Sequence, residues 1–422
     1  MLLNQVCYRT LHLPEPWSLK AYESVGGYAV LRKILTEKTK PADIIEIIKA
    51  SALRGRGGAG FPTGLKWSFV SHDIPGQKYV LCNSDESEPG TFKDRDILRF
   101  NPHQLLEGLA IACYVMGSTV AYNFLRGEFY EPFLRCEAAL KEMYEIGLAG
   151  KNVLGSGVDY DIYNHTSAGA YICGEETALM NSLEGKRGLP RFKPPFPANY
   201  GLYGRPSNIN NTESYASIPV ILEKGAKWFA DLGPEKSGGT KIFSVSGHVN
   251  KPGNYEVPLG TPFAKLLELA GGMLNNIPLK AVIPGGSSMP VLKAETMMQM
   301  NMDYDSLAKA GSALGSGAVI VMNEKTCMVK ALKRISKFYM HESCGQCTPC
   351  REGTGWIYRL VEKIENGTGT QNDLDQLGQV AKKIEGRTIC AFGEAAAWPV
   401  NGFLKCFYDE FRYHVDHKKC LV

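Results

Sequence analysis

The run Cys344-Gly345-Gln346-Cys347-Thr348-Pro349-Cys350 places three thiols at C-x2-C-x2-C spacing within a single turn-rich segment. A cubane iron–sulfur cluster has four iron corners. Thiolates this closely spaced on a tight loop reach three of them, and a distant cysteine closes the site. Gly345 and Pro349 give the backbone room to curl. Zinc is the alternative metal, but structural zinc usually draws its ligands as two separated pairs, and three from one triplet crowd a tetrahedron. For the fourth ligand the sequence favours Cys390, in Thr388-Ile389-Cys390-Ala391-Phe392-Gly393, because it lies between two predicted helices where the end of a bundle can return to the triplet. Cys327 and Cys406 are the other candidates. Elsewhere a buried small residue is the default for a cysteine. His341, three residues before Cys344, reads as a solvent-facing residue or as a group that tunes the cluster from outside.

The triplet carries this weight because disulfides are not expected. Residues 1–17 lack the basic start, apolar run and small-residue cleavage site of an export signal. No stretch is apolar enough, for long enough, to cross a bilayer, so direct membrane insertion is not expected either. The chain is expected in the cytoplasm, a reducing compartment where twelve cysteines do not form a disulfide framework. The net charge of +4 is small for 422 residues and is not gathered into runs, which excludes nucleic acid as an expected partner.

At this length the chain exceeds one ordinary core, and its pattern divides it in three. Over 1–235, helical patterns (Ala42 to Leu53, Gln104 to Val115) alternate with short strand-like runs (Tyr79 to Cys82), the sign of an α/β sheet. A linker at Gly233 to Gly239 precedes 240–325, where strand-like Ile242 to Val249 and Tyr255 to Val257 flank the turn Lys251-Pro252-Gly253-Asn254. Thr261 is expected to cap a helix that opens with Pro262 and stops at Gly271-Gly272. With strand-like Ala281 to Ile283 and Ala318 to Met322, this makes a small β-grasp-like module. Over 326–422 the period is helical, and about four helices form a bundle, with Gly367 and Gly386 at helix ends.

Two loops in the first region offer ligand chemistry. Arg54 to Lys66 contains a formal G-x-G-x-x-G, but a helix rather than a strand precedes it, so it fails the context test for a Rossmann fingerprint. Its glycines still let backbone N–H groups approach an anion, with Arg54, Arg56 and Lys66 around them; a flexible surface turn is the plain alternative. The strand-like Tyr79 to Cys82 runs into Asn83-Ser84-Asp85-Glu86-Ser87-Glu88. Ligands of open α/β sheets sit at such carboxyl ends, although solvated charge would give the same pattern. A second strand-to-helix passage, Ala170 to Thr177, brings Gly174, Glu175 and Glu176, whose carboxylates also suit a helix N-terminus. Asn208 to Glu213 adds amide side chains and a helix cap after the irregular basic loop Arg187 to Arg205.

Four segments, Gly55 to Trp67, Cys82 to Asp94, Ala170 to Gly185, and Glu342 to Gly355 with Cys390, closely resemble the flavin-bearing, NADH-oxidising subunit of respiratory complex I, NADH:quinone oxidoreductase. The resemblance covers nearly the whole chain. It implies FMN held by the glycine loop (Gly55, Arg56, Gly57) with Lys66, by Asn83, Asp85 and Glu86, by Gly174 and Glu175, and by Asn210, Asn211 and Thr212 near the phosphate. It implies that NADH meets Glu88 and Glu176 through its hydroxyls or carboxamide, Lys66 and Lys193 through its charged portions, Tyr171 near the nicotinamide, and Phe61 and Phe196 at the adenine. It further implies an SLBB-type β-grasp middle module and a [4Fe–4S] cluster on Cys344, Cys347, Cys350 and Cys390. No side-chain nucleophile is needed: hydride passes from NADH to FMN, then electrons pass singly to the cluster. The implied partners are a thioredoxin-like [2Fe–2S] subunit and a larger multi-cluster subunit, in the peripheral arm of a membrane-bound complex. The homologous diaphorase subunit of an NAD-linked hydrogenase or formate dehydrogenase is the enzymatic alternative. A zinc-stabilised ligand-binding scaffold is the non-enzymatic one.

Overall fold

The computed structural model of the chain describes residues 3–70 and 74–422. Met1 and Leu2, the start of the segment searched for an export signal, lie outside them. Among the described residues no helix is long and apolar enough to cross a membrane.

The first region is built on a four-stranded parallel sheet of β1 (Tyr79–Ser84), β2 (Val120–Leu125), β3 (Asp161–Thr166) and β4 (Ser207–Asn211), in the order β3-β2-β1-β4. Strand side chains alternate between faces, and here both faces are covered. Val80 and Cys82 enter one core with Leu105, Leu109, Ile218 and Ile221, while Leu81 enters another with Phe124, Leu179, Ile209, Tyr339 and Phe392. Double-sided burial explains why β1 reads as a continuous apolar run rather than an alternating one. The helices Pro41–Ala50 and Pro102–Met116 match their predicted positions to within a few residues, each with proline in its first turn, where no N–H is needed. Ala52 takes φ +53°, which ends the first of these and leaves Leu53 in the glycine loop.

The middle region is a five-stranded mixed sheet of β5 (Thr240–Gly247), β6 (Gly253–Pro258), β7 (Leu279–Ile283), β8 (Leu292–Lys293) and β9 (Ala318–Asn323), in the order β6-β5-β9-β7-β8. The helix Phe263–Leu269 packs Phe263, Leu266 and Leu267 against it. The cap differs from expectation. Pro262 itself is the flanking residue and the helix begins at Phe263, while the Thr261 hydroxyl donates to the Pro258 carbonyl at 2.7 Å. A proline at φ −58° and ψ 139° is extended and still outside the helix.

Four helices, Met328–Glu342, Thr348–Glu365, Gln371–Ile384 and Phe392–His417, form the bundle around Leu332, Ile357, Val361, Leu377 and Phe403. The strand expected at the start of the Ala170 to Thr177 passage is instead a single 3-10 turn, Tyr171–Gly174. Among the described residues it pairs with no strand. The Cys173 amide closes onto the Ala170 carbonyl at 3.0 Å, and the Tyr171 amide donates to Glu342 of the bundle at 3.1 Å.

Candidate active site and cluster site

Because β2 and β4 lie on opposite sides of β1, the strand order reverses between β1 and β4, the place where open α/β sheets leave a crevice at their carboxyl ends. Four segments meet there. Asn83, at the end of β1, donates through Nδ2 to the Gly174 carbonyl at 2.8 Å. Gly57 of the glycine loop lies so near β4 that a Cβ on it would stand 3.1 Å from Asn211 Cβ. Asn211 caps the helix Thr212–Lys224 by accepting from the Glu213 amide at 3.0 Å, which aims the positive end of a thirteen-residue helix at the crevice. Gly58, at φ +139°, has open space where its Cβ would stand. An anion can therefore approach backbone N–H groups on two sides. This geometry fits a flavin mononucleotide: a helix start and open space at Gly58 for a phosphate, next to amide side chains able to meet a ring edge.

Several expected contact residues are already engaged within the chain. The Arg56 guanidinium is fully buried and donates to the carbonyls of Gly238 at 2.7 Å, Thr240 at 2.9 Å and Arg54 at 3.2 Å, so it is engaged by main chain of the linker, β5 and its own loop. The Glu86 carboxylate accepts from the amides of Lys93 (2.9 Å), Asp94 (2.9 Å) and Arg95 (3.0 Å), which satisfies the orphan N–H groups of the helix Lys93–Phe100. Burial and the neighbouring Asp94 push its carboxyl up to about 7. Asp85 accepts from Ser87 at 2.5 Å and Ser167 at 3.2 Å and is pushed by burial up to about 6. The Thr212 hydroxyl is buried against Ser84 Oγ at 2.7 Å, and Asn210 donates to Asn208 and to the Tyr215 hydroxyl.

A charged triad stands at the crevice mouth. Glu176 bonds Lys66 at 3.1 Å and Lys193 at 2.7 Å. Burial acts to raise its carboxyl, but the two ammonium groups outweigh burial and hold it down at about 2. Glu175 caps the helix Glu176–Leu183 through the amides of Thr177 (2.8 Å) and Ala178 (2.9 Å) and also meets Lys193 at 3.2 Å. Phe61 and Phe196 are exposed, and Phe61 pairs with Phe69 at 6.1 Å between ring centroids. Glu88 accepts from the Tyr171 hydroxyl at 2.7 Å and from the Ser288 amide at 2.7 Å, which brings the middle region to the site.

Lys93, absent from the sequence-based candidates, lies at the centre of the site. It is 1% exposed and bonds Asp94 at 2.7 Å, Glu213 at 3.0 Å and the Asn211 amide oxygen at 3.1 Å. Lys241 also meets Glu213, at 2.6 Å. Burial opposes the charge on Lys93, yet Asp94, Glu213 and Glu86 keep its ammonium raised above the ordinary lysine value. The only sequence signal was Lys93-Asp94 at a helix start, and nothing in the order of residues pairs it with Glu213 across 120 positions.

Cys344, Cys347, Cys350 and Cys390 line one small cavity with Pro190, Gln346, Thr388, Ile389, Phe392 and Gly393. Four thiols and no carboxylate or imidazole make a donor set suited to iron–sulfur chemistry. The two alternative fourth cysteines are elsewhere: Cys406 donates to the Val291 carbonyl at 3.5 Å, and Cys327 contacts His414. The cavity adjoins the crevice through Tyr171, whose ring meets Phe392 at 5.6 Å and Phe338 at 5.3 Å. His341 is exposed, in the solvent-facing role.

Three family models match the chain: the Nuo51 FMN-binding domain over residues 48–220, the SLBB domain over 242–292, and the NADH-ubiquinone oxidoreductase-F iron–sulfur binding region over 330–414. Proteins named as the F-type subunit of NADH-quinone oxidoreductase are similar along the full length. That of Rickettsia bellii is 51% identical, covering 97% of this chain and 98% of its own. The Rickettsia typhi protein is 54% identical over 96% of both, and the second such protein of Rhizobium meliloti is 50% identical over 99% of both. Among solved structures, an NAD+-reducing [NiFe]-hydrogenase in the H2-reduced state matches with a TM-score of 0.85 at 33% identity, over 97% of this chain and 67% of that one. The chain belongs to the family of F-type subunits of NADH-quinone oxidoreductases, NADH dehydrogenase flavoproteins that carry FMN and a [4Fe–4S] cluster.

Proposed function

We propose that the crevice at the carboxyl ends of β1 and β4 holds FMN with its phosphate at the start of the helix Thr212–Lys224. The reversal of strand order between the parallel strands β1 and β4 is the observation that carries this reading. Gly55, Arg56 and Gly57 line one side with main chain, and Asn83, Gly174, Asn210 and Asn211 face the isoalloxazine and ribityl groups. Asp85, Glu86 and Thr212 hold the surrounding loops in place through the bonds described above. FMN, when bound, supplies the conversion between two-electron hydride chemistry and one-electron transfer.

The chain's own residues orient the nucleotide. Lys66 and Lys193 present positive charge to its pyrophosphate, and Glu175 and Glu176 hold those ammonium groups in position. Glu88 and Tyr171 bound the nicotinamide end, and the exposed rings of Phe61 and Phe196 offer faces to the adenine. Cys344, Cys347, Cys350 and Cys390 are the proposed cluster ligands, supported by their shared cavity. No step in this scheme requires a side-chain nucleophile.

The family implies assembly with other subunits. We assign a thioredoxin-like [2Fe–2S] subunit and a larger multi-cluster subunit as partners, in the cytoplasmic peripheral arm of a membrane-bound complex. The likeness to an NAD+-reducing hydrogenase supports a second reading as a diaphorase subunit; the higher identity to the NADH-quinone oxidoreductase proteins favours complex I. Purified, cluster-loaded protein is expected to be yellow-brown, to release FMN and about four irons per chain, and to reduce ferricyanide with NADH. A colourless, folded, inactive preparation counters the whole reading.

A further inference from the structure

We propose that Cys327, His414 and Cys420 form a second metal site, separate from the four-cysteine cavity, that binds one zinc ion with its fourth position open. The two sulfurs and one ring nitrogen of the imidazole lie within 4.8 Å of one another. Tetrahedral zinc with ordinary bond lengths spaces two sulfurs about 3.8 Å apart, and a sulfur and a nitrogen about 3.5 Å apart. Cys327 Sγ and His414 Nε2 stand at 3.5 Å.

Both sulfurs meet backbone donors. The Lys330 amide donates to Cys327 Sγ at 3.4 Å and the Val422 amide to Cys420 Sγ at 3.4 Å, bonds that a metal-bound sulfur keeps. Burial pushes the Cys327 thiol up to about 11, and a bound cation would deprotonate it. Cys327 also occupies the cap of the helix Met328–Glu342, where the dipole favours negative charge. His414 is 1% exposed and is held by the long helix Phe392–His417, and the Cys327 sulfur is the hydrogen-bond partner its Nε2 meets. The nearby Glu410 carboxylate is occupied by the Met328 amide at 3.0 Å and Lys280 at 2.9 Å, so it does not compete for the ion. Two thiolates and a neutral imidazole make a neutral zinc complex.

The site lies apart from the proposed cluster. Cys327 precedes and Cys344 follows the same fifteen-residue helix, which sets them roughly 22 Å apart along its axis. A zinc ion at the far end would tie the start of that helix to the end of the last helix and to the segment beyond it.

The test measures metal in anaerobically purified full-length protein that holds its flavin and cluster. After equilibration with micromolar zinc chloride under reducing conditions and gel filtration, elemental analysis is expected to find about one zinc per chain beside the iron. In Cys420→Ser, whose side chain is exposed, zinc is expected to fall at least fivefold while iron content and NADH–ferricyanide activity stay unchanged. His414→Gln is expected to lose zinc in the same way. Wild-type protein that retains no zinc, or a Cys420→Ser variant that retains as much as wild type, overturns the proposal. So does mass mapping that finds Cys327 and Cys420 joined as a disulfide in the reduced, metal-equilibrated protein.

Discussion

The Tyr171 hydroxyl donates to the Glu88 carboxylate over 2.7 Å, and this bond joins the crevice to the wall of the four-cysteine cavity. Tyr171 packs edge-on against Phe392, a residue that lines that cavity, and its amide donates to Glu342 two residues before Cys344. Any ligand that moves Glu88 therefore acts on a residue anchored to the cluster side.

Glu88→Gln tests the nucleotide side of that link. The carboxylate is half-buried and accepts from Tyr171 and the Ser288 amide, with Ser287 Oγ at 3.4 Å. An amide keeps the shape but loses charge, and a charge-assisted bond contributes about 1.5–3 kcal/mol. The KM for NADH is expected to rise about tenfold or more, with FMN and iron content retained. Unchanged nucleotide affinity removes Glu88 from the binding site.

Cys347→Ser addresses the cluster. A serine hydroxyl is a poor substitute for a thiolate on iron, so iron content should fall and the paramagnetic signal of the dithionite-reduced protein should disappear, while FMN stays bound. An intact signal refutes Cys347 as a ligand.

Lys93→Met probes the group that sequence alone did not single out. Removing one partner from a buried ionic cluster typically costs about 3–5 kcal/mol because the remaining charges lose their compensation. Here Asp94 and Glu213 are left facing one another with Lys241 as the remaining nearby ammonium. Denaturant midpoints should fall and FMN should dissociate more readily, since Asn211 loses its bond from Lys93. Equal FMN retention by the variant and wild type separates this cluster from the crevice.

Lys93 also marks where sequence reading stops. The triplet of cysteines was legible because its spacing is local, and so were the helices that begin with Pro41 and Pro102, whose punctuation lies within a turn of their ends. The turn at Tyr171–Gly174 was not legible. Apolar residues followed by Gly-Glu-Glu read equally well as a strand, and what decides otherwise is that, among the described residues, no strand lies beside them to pair with. Arg56 misled in the same way. A cation among glycines suggests an anion site, but its guanidinium is engaged by the Arg54 carbonyl and by two carbonyls more than 180 residues away. Local chemistry names the candidates; which of them are already engaged depends on contacts that the order of residues does not encode.

The Lys66–Glu176–Lys193 triad gives a prediction in pH. Glu176 is held at about 2 in the folded chain, against about 4.3 for an unperturbed glutamate. A group depressed on folding stabilises the fold fully above its unfolded value, and that contribution is lost as pH falls through the folded one. Wild-type stability should therefore decline between roughly pH 4.3 and pH 2 on account of this residue. With Lys66 and Lys193 both changed to alanine, burial alone acts on Glu176 and raises its carboxyl. The variant should then lose less stability than wild type over that window, as read from urea midpoints at pH 5 and pH 3. The same variant should bind NADH more weakly at pH 7, and wild-type affinity should weaken with added salt more steeply than the variant's, because two cations no longer face the pyrophosphate. Identical salt slopes in the two proteins exclude the lysines from nucleotide binding, whatever the urea midpoints show.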